Sequence, residues 1–487
     1  MGEKSNRKRR VNRSTFIIIC LIGLLLGLVA ARRLDFSNPY GIVYVLLIFA
    51  PLLYRKAKTL SLLSMIILCF CIGLWRGTGF KKQLLPYQYL LKQKITISAV
   101  ASSDSVYAEK GQLSFDVSSI KVIDPISKSS DLVGNIAVKG YGVNAIYKGD
   151  RVEVTAKLYP TRGSRQAIMS YSKIEIISRG GSVIDDFRRR FAAGLVSSVP
   201  EPMGSFGLGL LIGQRTTLPE IVNDQLSIVG LTHIVAVSGY NLTIIVRFTH
   251  SLFKRSSKLI TALSTISLII LFLLLTGFSA SIVRAAIVSM LSILAWYYGR
   301  TFKPVMVLML SAVITAGYYP VYLWSDIGWY LSFLAFFGVL VIGPVFHSRF
   351  LRNRPPKILL QLVIETLAAQ LMTLPLIMFI FGRLSVIALV ANVLVVPLVS
   401  LAMLLSFIAG LAGMFIPGLA NWLSWPAHWL LRYMLDVAAV LAEVPFASVA
   451  SKINVIQISV SYTLIFAVLL LWWKKIPPSV KIKGLVN

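Results

Sequence analysis

The stretch "GLTHIVAVSGYNLTII" (residues 230–245) decides how the rest of the chain is read. It opens an apolar run long enough to enter a bilayer, yet His233, Ser238, Gly239 and Asn241 interrupt it. Polar groups are costly in hydrocarbon, so those retained at membrane depth face protein or water. Read as one helix, His233 and Asn241 lie eight residues apart, about two turns, on nearly one face. Gly239 lets another backbone approach, or permits a break. One reading is a packed interface in which small residues let helices touch. The other is the lining of a wet passage, and the four residues taken together point to it.

Working outward, the 487 residues are 56% hydrophobic and only 14% charged, where soluble domains average about 25% charged. Apolar runs of about 18 residues, enough to cross a hydrocarbon core, recur along the chain. The expected fold class is therefore a polytopic α-helical membrane protein. The net charge of +30 resembles a nucleic-acid signature. Most of it falls in short basic loops such as "YRKAK" (54–58), "KRSSK" (254–258) and "HSRFLRNRPPK" (347–357), which orient membrane proteins with those loops in the cytoplasm. The three cysteines, Cys20, Cys69 and Cys71, all fall in expected spans and form no CxxC pair. The first span lacks a small-residue cleavage site, so it is expected to be a retained helix.

The composition divides the chain. Residues 1–80 hold three expected spans, near 14–31, 39–54 and 59–75. Residues 94–180 change character: "ITISAVAS", "QLSFDVSSIKVI", "GNIAVKGYG", "DRVEVTAKLY" and "YSKIEIIS" alternate apolar and polar residues between turn formers. That predicts five short strands, and five strands in so short a segment suit a small β-barrel, OB-like, inserted outside the membrane. Twelve basic and eight acidic residues over 94–179 leave it only mildly positive. Residues 181–204 read as an amphipathic interfacial helix. Residues 205–475 form a multi-span domain, with spans expected near 232–252, 259–276, 281–298, 304–318, 327–346, 359–381 and 385–413. Residues 419–443 either span or lie flat, and 476–487 are a short tail.

Further polar clusters accompany the opening stretch. In "LTGFSASIVRAA" (275–286), Gly277 and the serines suggest an unwound turn, and Arg284 follows inside an apolar run. An arginine there needs a carboxylate, carbonyls, water or a phosphate, unless it snorkels to the interface. Asp326 in "LWSDIGWYLSF" (323–333) begins a span and is a candidate electrostatic partner. Asn392 and Pro397 are expected to break the run in "ANVLVVPLVS" (391–400). Arg215, in "GLLIGQRTTLP" (209–219), stands at the outer mouth of the expected bundle. There is no Walker A motif, no HExxH and no GxSxG elbow, and the four histidines are isolated. The residues alone describe a channel or carrier with an external β-domain, no cofactor, no metal site and no catalytic set.

In these motifs the chain resembles the ComEC family of competence DNA-uptake channels. "GLLIGQRTTLP", "GLTHIVAVSGYNL", "LTGFSASIVRAA", "GWYLSFLAFFGVL" and "ANVLVVPLVSLAM" are similar to five family segments and occur in the family's order. Where the family carries a second histidine in the "SGLH" segment, this chain has Asn241. Many members continue into a β-lactamase-like domain, whereas this chain ends about a dozen residues past its last expected span. The resemblance implies a non-enzymatic channel in the inner or cytoplasmic membrane that imports single-stranded DNA during natural transformation. It also gives the OB-like domain the task of receiving the strand, through stacking aromatics and a basic groove. Tyr107, Phe115, Tyr141, Tyr147, Tyr159 and Tyr171 supply aromatics. Lys148, Arg151, Arg162 and Arg165 are the expected external contacts, the 162–165 loop foremost. The expected path runs past Arg215, His233, Ser238, Gly239, Asn241, Arg284, Asp326 and Asn392. Expected partners are single-stranded DNA, membrane lipid, a cytosolic ATP-driven translocase, and a pilus or external DNA receptor. The alternatives are a small-molecule or lipid-linked carrier and a membrane-embedded hydrolase.

Overall fold

The computed structural model describes residues 13–34, 58–108, 112–124, 131–141, 145–161, 163–180, 182–214, 218–235, 239–253, 255–276, 280–300, 303–350 and 358–475. Among them, six helices are long and apolar enough to cross a bilayer: Leu63–Leu90, Lys258–Thr276, Ile327–Ser348, Leu360–Phe381, Ala388–Phe415 and Val455–Trp472. The chain is a polytopic helical membrane protein. It divides into two compact units.

The first unit joins residues up to Leu85 with Lys303–Asp326. Helix Arg13–Ala30 packs against Lys58–Gln83 through glycines on both sides. A Cβ on Gly27 would overlap the Phe70 carbonyl, and one on Gly73 the Leu24 carbonyl, so only glycine allows this approach. Helix Pro304–Tyr318 lies against the first of these helices. Arg76 donates from Nε to Gly317 O at 2.9 Å and from Nη2 to Tyr318 O at 3.0 Å. It thereby satisfies carbonyls that the helix end leaves without intrahelical partners. Of the three expected N-terminal spans, that at 39–54 lies outside the described residues.

The second unit holds Pro86–Phe302 and Ile327–Asn487. Its β-sheet comprises β1 (Lys94–Ala101), β2 (Val106–Ala108), β3 (Gln112–Asp124), β4 (Asp131–Leu132), β5 (Ile136–Gly140), β6 (Arg151–Pro160) and β7 (Ala167–Ser178). Where a five-stranded barrel is expected, the structure has a seven-stranded sheet of order β1-β6-β7-β5-β3-β2, with β4 also on β3. The five expected strands are β1, β3, β5, β6 and β7, and the two short ones fringe β3. β1 pairs antiparallel with both β6 and β3, and β5 runs parallel to β7. Alternation sends Ile95, Ile97, Phe115, Val117, Val154 and Leu158 inward.

Helix Val183–Ser198 follows, capped by Ser182, whose Oγ accepts from Asp185 N–H. The helix expected to lie at the interface packs part of its apolar side against protein. Phe191, Gly194, Leu195 and Ser198 are buried, and Gly194 meets Gly410 and Gly413 of Ala388–Phe415. Glycine on both helices is the physical reason, because the backbones touch. On the polar side Arg188 Nη2 donates to Asp104 Oδ2 at 2.8 Å, tying the helix to the sheet. A shared core of Phe191, Phe206, Leu210, Leu226, Val395 and Leu431 packs this helix with Met203–Ile212, Glu220–Ile228, Ala388–Phe415 and Pro417–Ala442.

One expectation is corrected in the last third. Pro397 does not break its run: Ala388–Phe415 is one helix with Pro397 inside it. Proline removes one backbone donor, and the packing on both sides holds the helix through that gap. Residues 419–442 fall in a single helix, Pro417–Ala442, which is not among the six apolar spans. It buries Ala420, Ser424, Ala427 and Leu431 and exposes Trp422, Trp425 and Trp429. Arg432 lies 5.4 Å from the Trp429 ring centroid.

Candidate functional site: a polar junction between helices

Within the opening stretch the described helices are Thr232–Val235 and Gly239–Leu252, and residues 236–238 between them lie outside the described residues. His233 belongs to the first and Asn241 to the second. Gly230, at φ 76°, turns the chain just before this, a left-handed conformation that suits glycine. His233 is exposed, with Nδ1 at 3.0 Å from the Gly230 carbonyl oxygen. As the neutral tautomer protonated on Nδ1, or as imidazolium, it donates to that carbonyl.

Asn241 is 1% exposed, and its Nδ2 donates to Leu210 O at 3.0 Å. Leu210 stands in the last turn of Met203–Ile212, where carbonyls lack intrahelical donors. Asn241 thus caps a neighbouring helix from the side. Gly239, two residues earlier, fits where a Cβ would come 3.0 Å from Phe336 Cζ and 3.1 Å from Ala285 Cβ. Beside Ala285 is Arg284, 3% exposed, whose Nη2 donates to Gly328 O at 3.0 Å. Of the partners an arginine at this depth can take, the structure provides a backbone carbonyl. Three segments that are apart in sequence, around Gly239, Arg284 and Gly328, therefore meet at one junction.

Asn392 is 5% exposed in the second turn of Ala388–Phe415, and among the described residues its Oδ1 has no hydrogen-bond partner. The start of its helix touches the Gly230 turn, where a Cβ on Gly230 would lie 2.9 Å from Ala388 Cβ. Asp326 belongs to the first unit and follows the short helix Val321–Ser325, its N–H bonding to Tyr322 O at 3.3 Å. Arg215, Ser238, the Gly277 turn and Arg162 lie outside the described residues.

In the sheet, the expected external cations differ in how far they are committed. Arg165 pairs with Asp116: Nη2 donates to Oδ2 at 3.0 Å, and Nε lies 2.8 Å from Oδ1. Burial raises the Asp116 carboxyl above its ordinary value, with Arg165 opposing. Lys148 is half-buried, and burial followed by repulsion from Arg188 lowers its ammonium pKa. Arg151 is exposed at the start of β6. Of the aromatics, Phe115 is core, whereas Tyr141, Tyr147, Tyr159 and Tyr171 are exposed. The Tyr107 side chain is outside the described set. Sequence reasoning missed Arg188 with Asp104 and Arg76 with Gly317, because partners so far apart in sequence leave no local signal.

The competence protein family pattern matches residues 210–476, more than half of the chain and all of the junction. The chain is also 27% identical over 251 residues to "ComE operon protein 3" of Bacillus subtilis (strain 168). That match covers 49% of this chain and 31% of the relative, so the chain spans well under two thirds of the relative's length. No solved structure matches. With five motif segments in order and the family pattern lying across the helices that carry them, the chain belongs to the competence protein (ComEC) family.

Proposed function

We propose that the chain is a conducting, non-enzymatic channel of the cytoplasmic membrane that admits single-stranded DNA during competence. The observation that carries the reading is Arg284: a buried cation in an apolar helix, whose Nη2 donates to the Gly328 backbone carbonyl at 3.0 Å, inside the region the family pattern matches. A guanidinium binds phosphate oxygens more strongly than a neutral carbonyl, so a passing strand competes for it. In this conformation Asn241, Arg284 and Asn392 are enclosed by protein. Conduction therefore requires the helices around Gly239 to part.

The β-sheet is read as the external, OB-like receiver. What supports this is the strand order, with β1 laddered to both β3 and β6 and with β5 parallel to β7. A cytosolic ATP-driven partner pulls the strand, and a pilus or surface receptor delivers it. The test is uptake of labelled DNA in cells lacking the gene and complemented with wild type or Arg284→Ala. Loss on deletion, rescue by wild type and failure of Arg284→Ala to rescue support the reading. Normal uptake in the deletion strain, or altered envelope lipids with normal uptake, overturns it in favour of a carrier.

A further inference from the structure

We propose that Tyr141 and Tyr171 form the platform on which the sheet stacks the bases of single-stranded nucleic acid, with Lys139 and Lys157 beside it to hold phosphates. The inference rests on the receiving role given above to the sheet and narrows it to one patch. The two rings stack at 6.2 Å between centroids and 27° between planes. They are 46% and 81% exposed, so the pair forms outside any core. Tyr171 has φ 55°, a left-handed conformation that is a genuine outlier for a bulky residue. Burial does not offset that strain, because the side chain is almost bare. Such strain persists where the surroundings impose it, and it clusters at ligand clamps.

The imposing device is visible in the ladders. The β5–β7 register shifts between Val138 and Gly140, and the β6–β7 register shifts between Thr155 and Lys157. Both irregularities fall opposite Tyr171, a bulge that re-aims a side chain. The same registers bring the lysines close. Lys157 pairs with Ser170, the residue before Tyr171, and Lys139 lies between the partners of Met169 and Ser172. Among the described residues neither lysine is ion-paired, whereas Arg165, Arg179 and Arg188 are held by Asp116, Asp150 and Asp104. Tyr159, exposed two residues beyond Lys157 on the same face of β6, extends the patch. Exposed aromatics interleaved with free cations fit an unpaired polynucleotide, whose bases stack while its phosphates meet the lysines.

The test uses the full chain in detergent micelles with a fluorescent oligothymidylate. Tyr171→Gly is expected to weaken binding about tenfold while leaving the unfolding temperature unchanged or raised, since glycine accepts φ 55° without strain. Tyr171→Phe is expected to retain affinity, and Lys139→Ala with Lys157→Ala to flatten the salt dependence. Wild-type affinity in both Tyr171→Gly and Tyr141→Ala overturns the platform and leaves the channel reading standing. So does a loss confined to binding of phosphatidylglycerol vesicles, which would make the patch a lipid contact. A wild-type chain that binds no oligonucleotide overturns the platform and the receiving role together.

Discussion

Arg284 and Gly328 are 44 residues apart and joined by one hydrogen bond of 3.0 Å, from a guanidinium that is 3% exposed to a main-chain oxygen. The bond ties helix Ala280–Tyr297 to the first turn of Ile327–Phe337. It also separates two roles that one substitution would otherwise confuse. Replacing a buried cation by an apolar side chain of similar length removes the cost of holding a charge out of water. Arg284→Met is therefore expected to keep or raise the unfolding temperature in detergent while uptake of labelled DNA falls at least tenfold. Arg284→Lys is expected to restore uptake in part, because lysine keeps the charge but not the planar fork.

The contact of Gly194 with Gly410 and Gly413 predicts a steric effect. A Cβ at Gly194 would lie 2.7 Å from Met414 N and 2.8 Å from Gly410 O. Both are backbone atoms, so the helices must separate. Gly194→Ala should cost about 1–3 kcal/mol, read as a lower unfolding temperature. Gly418→Ala, where nothing lies within 4 Å of the new Cβ, should be neutral or slightly stabilising.

The ion pair of Arg188 with Asp104 is shielded, at 12% and 14% side-chain exposure. Asp104→Ala strands a cation between helix and sheet, and breaking a buried pair costs about 3–5 kcal/mol. Partial exposure puts the expectation at the low end. The double variant Asp104→Ala/Arg188→Ala should recover part of the loss, and a double-mutant cycle on unfolding free energies measures the coupling.

Lys148 gives a pH dependence. Burial lowers its pKa in the fold below the ordinary 10.5, so between those two values the unfolded chain holds more proton than the folded one. Stability then rises with pH across that alkaline window, and at neutral pH the charged form is a cost to the fold. Lys148→Met is expected to raise the unfolding temperature near neutrality and to remove this rise. A lysine with its charge spent against burial and Arg188 is a poor phosphate contact, so oligonucleotide affinity should not change. A clear loss of affinity would restore Lys148 to the binding surface.

How far the sequence was legible follows from where each signal resides. "RVEVTAKLY" alternates on its own, and β6 is where that alternation puts it. Apolar length alone marks Ala388–Phe415 as a span. The partners of 230–245 were not legible, since nothing in that run points to Leu210, which Asn241 serves, or to Ala388, which closes on Gly230. Likewise "TRGSRQ" reads as a free basic loop until Asp116, 49 residues earlier in the chain, is found holding Arg165. Composition also could not sort the tyrosines, because a strand exposes one face and the bulge at Tyr171 changes which residue that is.

Asn241 yields the last prediction. Its amide serves Leu210 O, a buried carbonyl in a helix's final turn. Asn241→Leu keeps the branched shape in a somewhat larger side chain but removes the donor, and a buried acceptor left unsatisfied costs about 1–3 kcal/mol. Asn241→His places an imidazole where the resembled family carries one, and its ring N–H can reach for the same carbonyl. If the position serves by donating a hydrogen bond, Asn241→His should retain stability and DNA uptake while Asn241→Leu loses both. If Asn241→Leu takes up DNA normally, the bond to Leu210 matters only to packing, and the junction at Gly239 opens without it.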